Sequence, residues 1–132
     1  VVMAGTATTV DTLDGDGRFR GGLILPGLDL MRRSLARDTA ALPLAAGKYS
    51  VYPRCTDDAI ISGCIEAQAG AIERACVRLG DEAICLLSGG AAGFVGEHLN
   101  VPHRPVANLV LEGLLRLAEV ELSIHAAGKN SG

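Results

Sequence analysis

The stretch Gly5–Asp11, GTATTVD, follows the apolar run Val1–Ala4 and combines a glycine, three threonines and a carboxylate. β-Branched threonines fit a pleated surface, so one interpretation is an ordinary Thr-rich hairpin. The other is a loop that holds phosphate, because glycine leaves backbone N–H groups accessible and threonine adds hydroxyl groups. Both structures are compatible with these residues, and the rest of the chain has to decide between them.

The composition predicts one aliphatic domain. The chain has 132 residues, of which 48% are hydrophobic and 3% aromatic, so its core is built from Leu, Ile, Val and Ala. The net charge is −3 and the short basic cluster Arg32–Arg33 is interpreted as a solvated helix face. Because nucleic-acid binding usually needs a basic surface, we expect no direct nucleic-acid partner. The sequence has no apolar run of membrane-spanning length, so we expect no membrane partner.

The residues that commonly hold metals or perform nucleophilic catalysis are not grouped along the chain. The four cysteines form no CxxC pair, which argues against zinc, and they are interpreted as reduced, mostly buried thiols of a cytoplasmic protein. The segment DGDG, residues 14–17, lacks the spacing and the closing glutamate of a calcium-binding loop. The three histidines suggest no catalytic triad.

Hydrophobic periodicity and turn residues predict alternating strands and helices. Strands are predicted at 1–4, 8–13, 18–25 and 83–87, and helices at 28–37, 57–79 and 108–120, with a short helix after residue 90. Residues 100–105 are predicted as a loop and 121–132 as a frayed tail. The last helix is expected to turn four apolar side chains inward: Leu111, Leu114, Leu115 and Ala118. This order predicts an α/β fold with a mixed sheet and flanking helices.

The long helix 57–79 has two further predicted features. Thr56 is its expected N-cap, with Asp57 and Asp58 in the first turn, and Gly80 ends it. Its polar residues form only one narrow stripe, so the remaining surface is too apolar for a helix that has one whole face in water. We therefore expect the helix to pack on two sides, against its own sheet and against a second copy in a homodimer.

Three glycine-bearing segments stand within or at the ends of predicted strands. They are Gly5–Thr6, the pair Gly21–Gly22 with Pro26–Gly27, and Gly89–Gly90. Each loop alone is typical of a turn, but their conjunction in a short chain favours a phosphate site. Their spacing matches neither the P-loop nor GxGxxG.

Five segments in constant order carry a resemblance to a known family. They are GTATTVD (5–11), GGLILPG (21–27), LARDTAALP (35–43), CTDDAIISG (55–63) and LLSGGAA (86–92). In this set the sequence resembles the second half of type III pantothenate kinases, a family that includes proteins named Bvg accessory factor. The resemblance implies the actin/Hsp70/sugar-kinase fold, in which nucleotide lies between two ribonuclease-H-like domains. Residues 1–132 would be the C-terminal domain, with the N-terminal half absent from this chain.

The resemblance also implies roles for individual residues. Gly5 and Thr6 would contact the phosphates of ATP, Gly89–Gly90 would lie near the adenosine, and Thr56 would contact pantothenate. Asp11 would act indirectly, by orienting water bound to Mg²⁺. The family's catalytic Asp belongs to the N-terminal half, so no catalytic residue is expected in this chain.

Met3 departs from the pattern of the family. Relatives usually carry Asp two residues before the glycine of GTA, where it binds a monovalent cation, whereas here the residue is Met3. A thioether is a poor ligand for a hard cation. The simplest interpretation of Met3 is core filling, and we expect the protein to need no monovalent cation.

Three hypotheses about function remain at this point. The first is part of a kinase that transfers phosphate from ATP to pantothenate, the first step of coenzyme A biosynthesis, and this chain alone would then be inactive. The second is a non-catalytic accessory factor of transcriptional regulation that kept the kinase fold. The third is an isolated dimerisation domain. Intact Gly5–Thr6, Thr56 and Gly89–Gly90 favour the first hypothesis, whereas Met3 favours the second.

Overall fold

A computed structural model describes the backbone of residues 1–129 and the side chains of residues 1–123. Its elements, in chain order, are β1 (Val2–Ala4), β2 (Ala7–Leu13), β3 (Phe19–Pro26), α1 (Leu28–Asp38), α2 (Thr56–Leu79), β4 (Cys85–Ser88), α3 (Ala92–Gly96), β5 (His103–Pro105) and α4 (Leu109–Lys129).

The strands form one mixed sheet in the order β3-β2-β1-β4-β5, which confirms the predicted α/β class. The strands β1, β2 and β3 pair antiparallel, whereas β4 pairs parallel with both β1 and β5. The prediction of a loop over residues 100–105 was wrong, because His103–Pro105 forms an edge strand. Two prolines in six residues favoured a loop, yet an edge strand tolerates proline because one side of its backbone needs no sheet partner.

The core lies between one face of the sheet and the helices α2 and α3. Residues at alternate positions of β1 and β2, such as Val2, Ala4 and Val10, are buried there together with Ile72 and Leu87. All four cysteines are free thiols. Burial raises the pKa of the Cys85 thiol to about 11, so this cysteine acts as a small apolar core residue.

The long helix α2 forms where it was predicted, but its N-terminus differs from the prediction. Cys55 is the N-cap and Thr56 is the first helical residue, and no side chain caps the helix. Gly80 ends the helix with φ at 97°, a value that glycine adopts readily. One face of α2 covers the sheet, while a second face exposes the small residues Ala59, Gly63, Ala67 and Gly70.

The polar stripe of α2 binds the segment that precedes this helix. The backbone N–H groups of Lys48 and Ser50 donate to the side chains of Asp58 and Ser62 at 2.8 and 2.9 Å. The hydrogen bond from Lys48 is the main reason why the pKa of Asp58 is lowered. Gly47 permits this approach, because a Cβ there would lie 2.4 Å from the backbone carbon of Asp57. The stripe therefore fixes a loop and does not simply face water.

The last helix contradicts the expected packing of its apolar residues. Leu111, Leu114, Leu115 and Ala118, which were predicted to face inward, are all exposed. The prediction was wrong because α4 makes no extensive contact with any other element among the described residues. The helix also extends to Lys129, beyond the predicted end at residue 120, and fraying of residues 130–132 concerns positions outside the described residues. Among the helices described, none is both long and apolar enough to cross a bilayer.

Candidate functional site

The carboxyl ends of three strands lie together at one end of the sheet. Since β1 and β4 pair parallel, with Met3 opposite Ser88, the turns that follow them begin side by side. The strands β1 and β3 are both antiparallel to β2 and therefore run in the same direction, so Pro26–Gly27 lies at the same end of the sheet. In open α/β sheets ligands bind preferentially at such carboxyl ends. This end of the sheet is the candidate functional site.

The turn Gly5–Thr6 joins β1 to β2 and lies against the start of α1. The backbone N–H of Gly27 donates to the carbonyl oxygen of Thr6 at 2.9 Å. A Cβ on Gly27 would lie 2.1 Å from the carbonyl oxygen of Gly5, so only glycine fits between this turn and α1. Both Gly5 and Thr6 are exposed, and both line a cavity of about 340 Å³. The stretch GTATTVD is thus a hairpin whose turn opens into a cavity.

The two glycines after β4 have different structural environments. Gly89 has φ at 104°, and a Cβ there would lie 2.4 Å from the carbonyl oxygen of Ala4, so both its backbone conformation and its packing require glycine. Gly90 has open space around it and lines the same cavity as Gly5 and Thr6. Three of the four residues predicted to bind ATP therefore line one cavity, whereas Gly89 is exposed and lines a separate cavity of about 670 Å³.

The same cavity contains two charged residues that the sequence analysis missed. Asp29 and Arg33, both on α1, line it and form an ion pair with 2.6 Å between Nη2 and Oδ2. Arg33 had been assigned to a solvated helix face. The sequence did contain a signal for this pair. Asp29 and Arg33 are four residues apart in the helix that begins directly after Pro26–Gly27, so their side chains lie on the same face of α1, close to the glycine turn.

Thr56 lies beside a second cavity, on the other side of α1. This cavity has a volume of about 590 Å³ and a mainly apolar lining. Its walls combine α1 residues Met31, Ser34 and Leu35 with α2 residues Thr56, Ala59, Ile60, Gly63 and Cys64, and with Pro26 and Leu42. The helix α1 is therefore a wall shared by the Thr6 cavity and the Thr56 cavity.

Gln68 connects these elements from inside the core. Its side chain is fully buried, and its Nε2 donates to the carbonyl oxygen of Pro26 at 2.6 Å and contacts the Met31 sulfur at 3.5 Å. Its Oε1 is buried without a hydrogen-bond partner among the described residues. This amide fixes the junction between β3 and α1 to α2, and so holds the wall between the two cavities.

Several other predicted residues lie outside the two cavities. Asp11 faces Gly22 on the outer side of the sheet and stands about 16 Å from Thr6, at roughly 3.3 Å per residue along β2. Met3 is half-buried and lines a different cavity, of about 670 Å³, with Gly89 and the start of α4. The pair Gly21–Gly22 lines a further cavity of about 690 Å³ at the opposite end of the sheet, near the beginning of β3. Asp11 and Gly21–Gly22 are therefore distant from Thr6, whereas Met3 lies in β1 two residues before Gly5 and lines a separate cavity.

Carboxylates, histidines and cysteines are not clustered into a metal site. No group of three such side chains comes together in the part of the chain that the structure describes. The chemistry that the candidate site offers is therefore hydrogen bonding from Thr6, close backbone approach at Gly5 and Gly90, and one arginine–carboxylate pair.

Comparison with known proteins adds an independent observation. The family model described as type III pantothenate kinase matches residues 1–78. The type III pantothenate kinase of Dechloromonas aromatica (strain RCB) is 66% identical over 119 residues, which cover 89% of this chain and 50% of that protein. That of Azoarcus sp. (strain BH72) is 55% identical over 123 residues, covering 92% of this chain and 47% of that protein. The chain thus spans about half the length of these relatives.

A solved structure supports the fold. It is described as a conserved Baf family transcriptional activator from Campylobacter jejuni, and it covers 92% of this chain and 57% of its own chain with a TM-score of 0.75. Its sequence identity of 20% supports a common fold only. The family match spans more than half of the chain and includes both the Gly5–Thr6 turn and Thr56, and on this basis the chain belongs to the type III pantothenate kinase family.

Proposed function

We propose that this chain is the C-terminal half of an ATP-dependent pantothenate kinase, which transfers the γ-phosphoryl group of ATP to pantothenate. The observation that carries the proposal is the arrangement of two cavities on either side of α1. One is lined by Gly5, Thr6 and Gly90, and the other by Thr56. Phosphoryl transfer needs the reacting atoms of donor and acceptor within about 3–3.5 Å of each other. The two substrates would therefore meet over the N-terminal end of α1, where Gly27 contacts the Gly5–Thr6 turn and Pro26 lines the Thr56 cavity.

The proposed domain arrangement is that of the actin/Hsp70/sugar-kinase superfamily. Residues 1–132 would form the C-terminal domain, with nucleotide held between it and an N-terminal half. The exposed apolar side chains of α4, such as Leu111 and Leu115, support this arrangement, because an apolar surface of this kind usually contacts another layer of protein.

The residues of this chain would bind and orient the substrates. The Thr6 hydroxyl donates a hydrogen bond to a phosphate oxygen, while Gly5 and Gly90 let the phosphates and the nucleoside approach the backbone closely. The hydroxyl of Thr56 orients pantothenate, whose apolar portion packs against the walls of the Thr56 cavity. Phosphoryl transfer depends mostly on such positioning and on charge neutralisation. The base that accepts the proton of the pantothenate hydroxyl would come from the N-terminal half.

The described residues do not form a magnesium site by themselves. Asp11 lies far from Thr6, and Asp29, which lines the Thr6 cavity, is paired with Arg32 and Arg33. Mg²⁺ commonly keeps several waters and takes one or two carboxylates in addition to phosphate oxygens. Protein ligands of Mg²⁺ would therefore be supplied by the N-terminal half, and the indirect role of Asp11 is not supported by its position.

The assembly that we propose is a cytoplasmic homodimer formed through α2. The exposed face at Ala59, Gly63, Ala67 and Gly70 supports it, since a Cβ added to either glycine would meet no atom within 4 Å and a partner helix could approach closely. Free thiols at all four cysteines agree with a reducing compartment.

The decisive experiment is a coupled assay of ADP release with pantothenate as acceptor. The protein at the full length of its relatives should phosphorylate pantothenate, while residues 1–132 alone should show no turnover because half of the phosphate site and the base are absent. A folded full-length protein that binds ATP but gives no pantothenate-dependent turnover would exclude the kinase and favour the non-catalytic accessory factor. Turnover by residues 1–132 alone would refute the proposed division of the site.

A further inference from the structure

The ion pair between Asp29 and Arg33 lies in the wall of the Thr6 cavity. Both side chains are exposed, with 58% and 69% of their surface accessible. Exposed pairs of this kind are only weakly stabilised, so either partner is readily exchanged for another ion. The guanidinium of Arg33, which can exchange Asp29 for another anion, thus lies next to the Gly5–Thr6 turn.

The neighbouring Arg32 is held differently. Its Nε and Nη2 both donate to the carbonyl oxygen of Ala45, and its Nη1 lies 3.6 Å from the second oxygen of Asp29. These bonds hold Arg32 against the loop before α2, whereas Arg33 lines the cavity. Of two consecutive arginines, one is therefore structural and the other is available to a ligand.

The cavity combines the groups that a polyphosphate needs. A threonine hydroxyl and two glycines allow close approach of phosphate oxygens, and a guanidinium can donate two parallel hydrogen bonds to one phosphate. We propose that Arg33 binds the polyphosphate of the nucleotide, and that it leaves Asp29 when the nucleotide enters. Asp29 then acts as a competing anion, which occupies Arg33 in the empty site. This inference rests on the proposed function for the identity of the ligand as a nucleotide.

The proposal predicts effects of opposite sign for the two partners of one ion pair. Arg33→Gln removes a charged hydrogen-bond donor and should weaken binding of inorganic triphosphate about ten- to a hundredfold. Asp29→Asn removes the competing anion and should strengthen binding about two- to fivefold. A pair that only stabilised α1 would give the same sign for both changes. Arg33→Lys keeps the charge and should retain more affinity than Arg33→Gln.

The test is isothermal titration of the full-length protein with magnesium-free inorganic triphosphate and, separately, with adenosine. The matched control is the pair Arg37 and Asp38, which is bonded at 2.8 Å near the C-terminus of the same helix and does not line the cavity. Arg37→Gln and Asp38→Asn should leave both affinities within twofold of the parent.

Four results would overturn the inference. They are triphosphate affinity within twofold of the parent in Arg33→Gln, weaker binding in both Arg33→Gln and Asp29→Asn, a loss for adenosine as large as that for triphosphate, and no triphosphate binding by the parent. Pantothenate turnover measured in parallel separates this inference from the proposed function. Turnover with unchanged triphosphate affinity in Arg33→Gln rejects only the role of Arg33, while the expected affinities without turnover reject only the kinase.

Discussion

Replacing Gly27 by alanine tests whether the Gly5–Thr6 turn and α1 form one rigid unit. The backbone of Gly27 has φ at −68° and ψ at 167°, an ordinary extended conformation that alanine adopts without strain. The added Cβ, however, would lie 2.1 Å from the Gly5 carbonyl oxygen and 2.6 Å from that of Thr6. The whole cost of the substitution therefore comes from contact with the turn.

The size of the effect follows from these contacts. The shortest weak C–H···O contacts have a carbon–oxygen distance of about 3.3 Å. To bring the Gly5 oxygen to that distance from the new Cβ, the turn has to move by about 1 Å. Overpacking of this kind costs about 1–3 kcal/mol, and loss of the hydrogen bond from the Gly27 N–H to the Thr6 oxygen adds about 1 kcal/mol. We expect Gly27→Ala to lower the free energy of unfolding by about 2–4 kcal/mol and to weaken ATP binding, because Thr6 is displaced.

The measurements are guanidinium unfolding and ATP titration of the full-length protein. Gly113→Ala is the matched control, since Gly113 lies within α4 with no atom within 4 Å of an added Cβ. Alanine is the better helix former by about 1 kcal/mol, so this control should be neutral or slightly stabilising. An unfolding free energy of Gly27→Ala within about 0.5 kcal/mol of the parent, the usual range for changes that meet no neighbour, would refute the rigid contact.

Three further predictions concern phosphate, cation and assembly. Thr6→Val keeps the shape of the side chain and removes its hydroxyl, so ATP affinity should fall by about 1–2 kcal/mol in titration, and unchanged affinity would make the turn an ordinary hairpin. Because Met3 provides no carboxylate, kinase activity should be insensitive to exchanging K⁺ for Na⁺ at fixed ionic strength, and strong activation by K⁺ would contradict this. Ala67→Glu should convert the expected dimer to monomers in sedimentation, whereas the same change at exposed Ala40 should not; a monomeric parent would exclude the dimer.

Elements of regular pattern were predictable from the sequence. Hydrophobic periodicity and turn residues indicated β1, β2 and β3 with each end within one residue, and the long apolar pattern ending at Gly80 indicated α2. The Gly5–Thr6 turn and Gly90 were identified as neighbours because glycine loops after strands are typical of phosphate sites. Such features are local, and local sequence is sufficient for them.

Features that depend on distant contacts were not predictable. The edge strand β5 exists because β4 pairs with it, and its prolines indicated a loop. Leu111 and Leu115 follow an inward pattern, but packing requires a partner layer that periodicity does not reveal. The close fit of Gly89 against Ala4 joins residues that are far apart in sequence, and neither residue type indicates it.

The segment that leads into α2 has a consequence for how the length of this chain can vary. Two residues of extended chain span roughly 6.6 Å, and four residues of helix span about 6 Å, so Lys48 and Ser50 match Asp58 and Ser62 in spacing. A residue inserted between Lys48 and Ser50 would break that match, just as a register slip breaks a strand pair. Tyr52 is 85% exposed, and extra residues near it would only enlarge a surface loop. Length differences among related chains should therefore be concentrated after residue 50, so that the start of α2 and Thr56 keep their position.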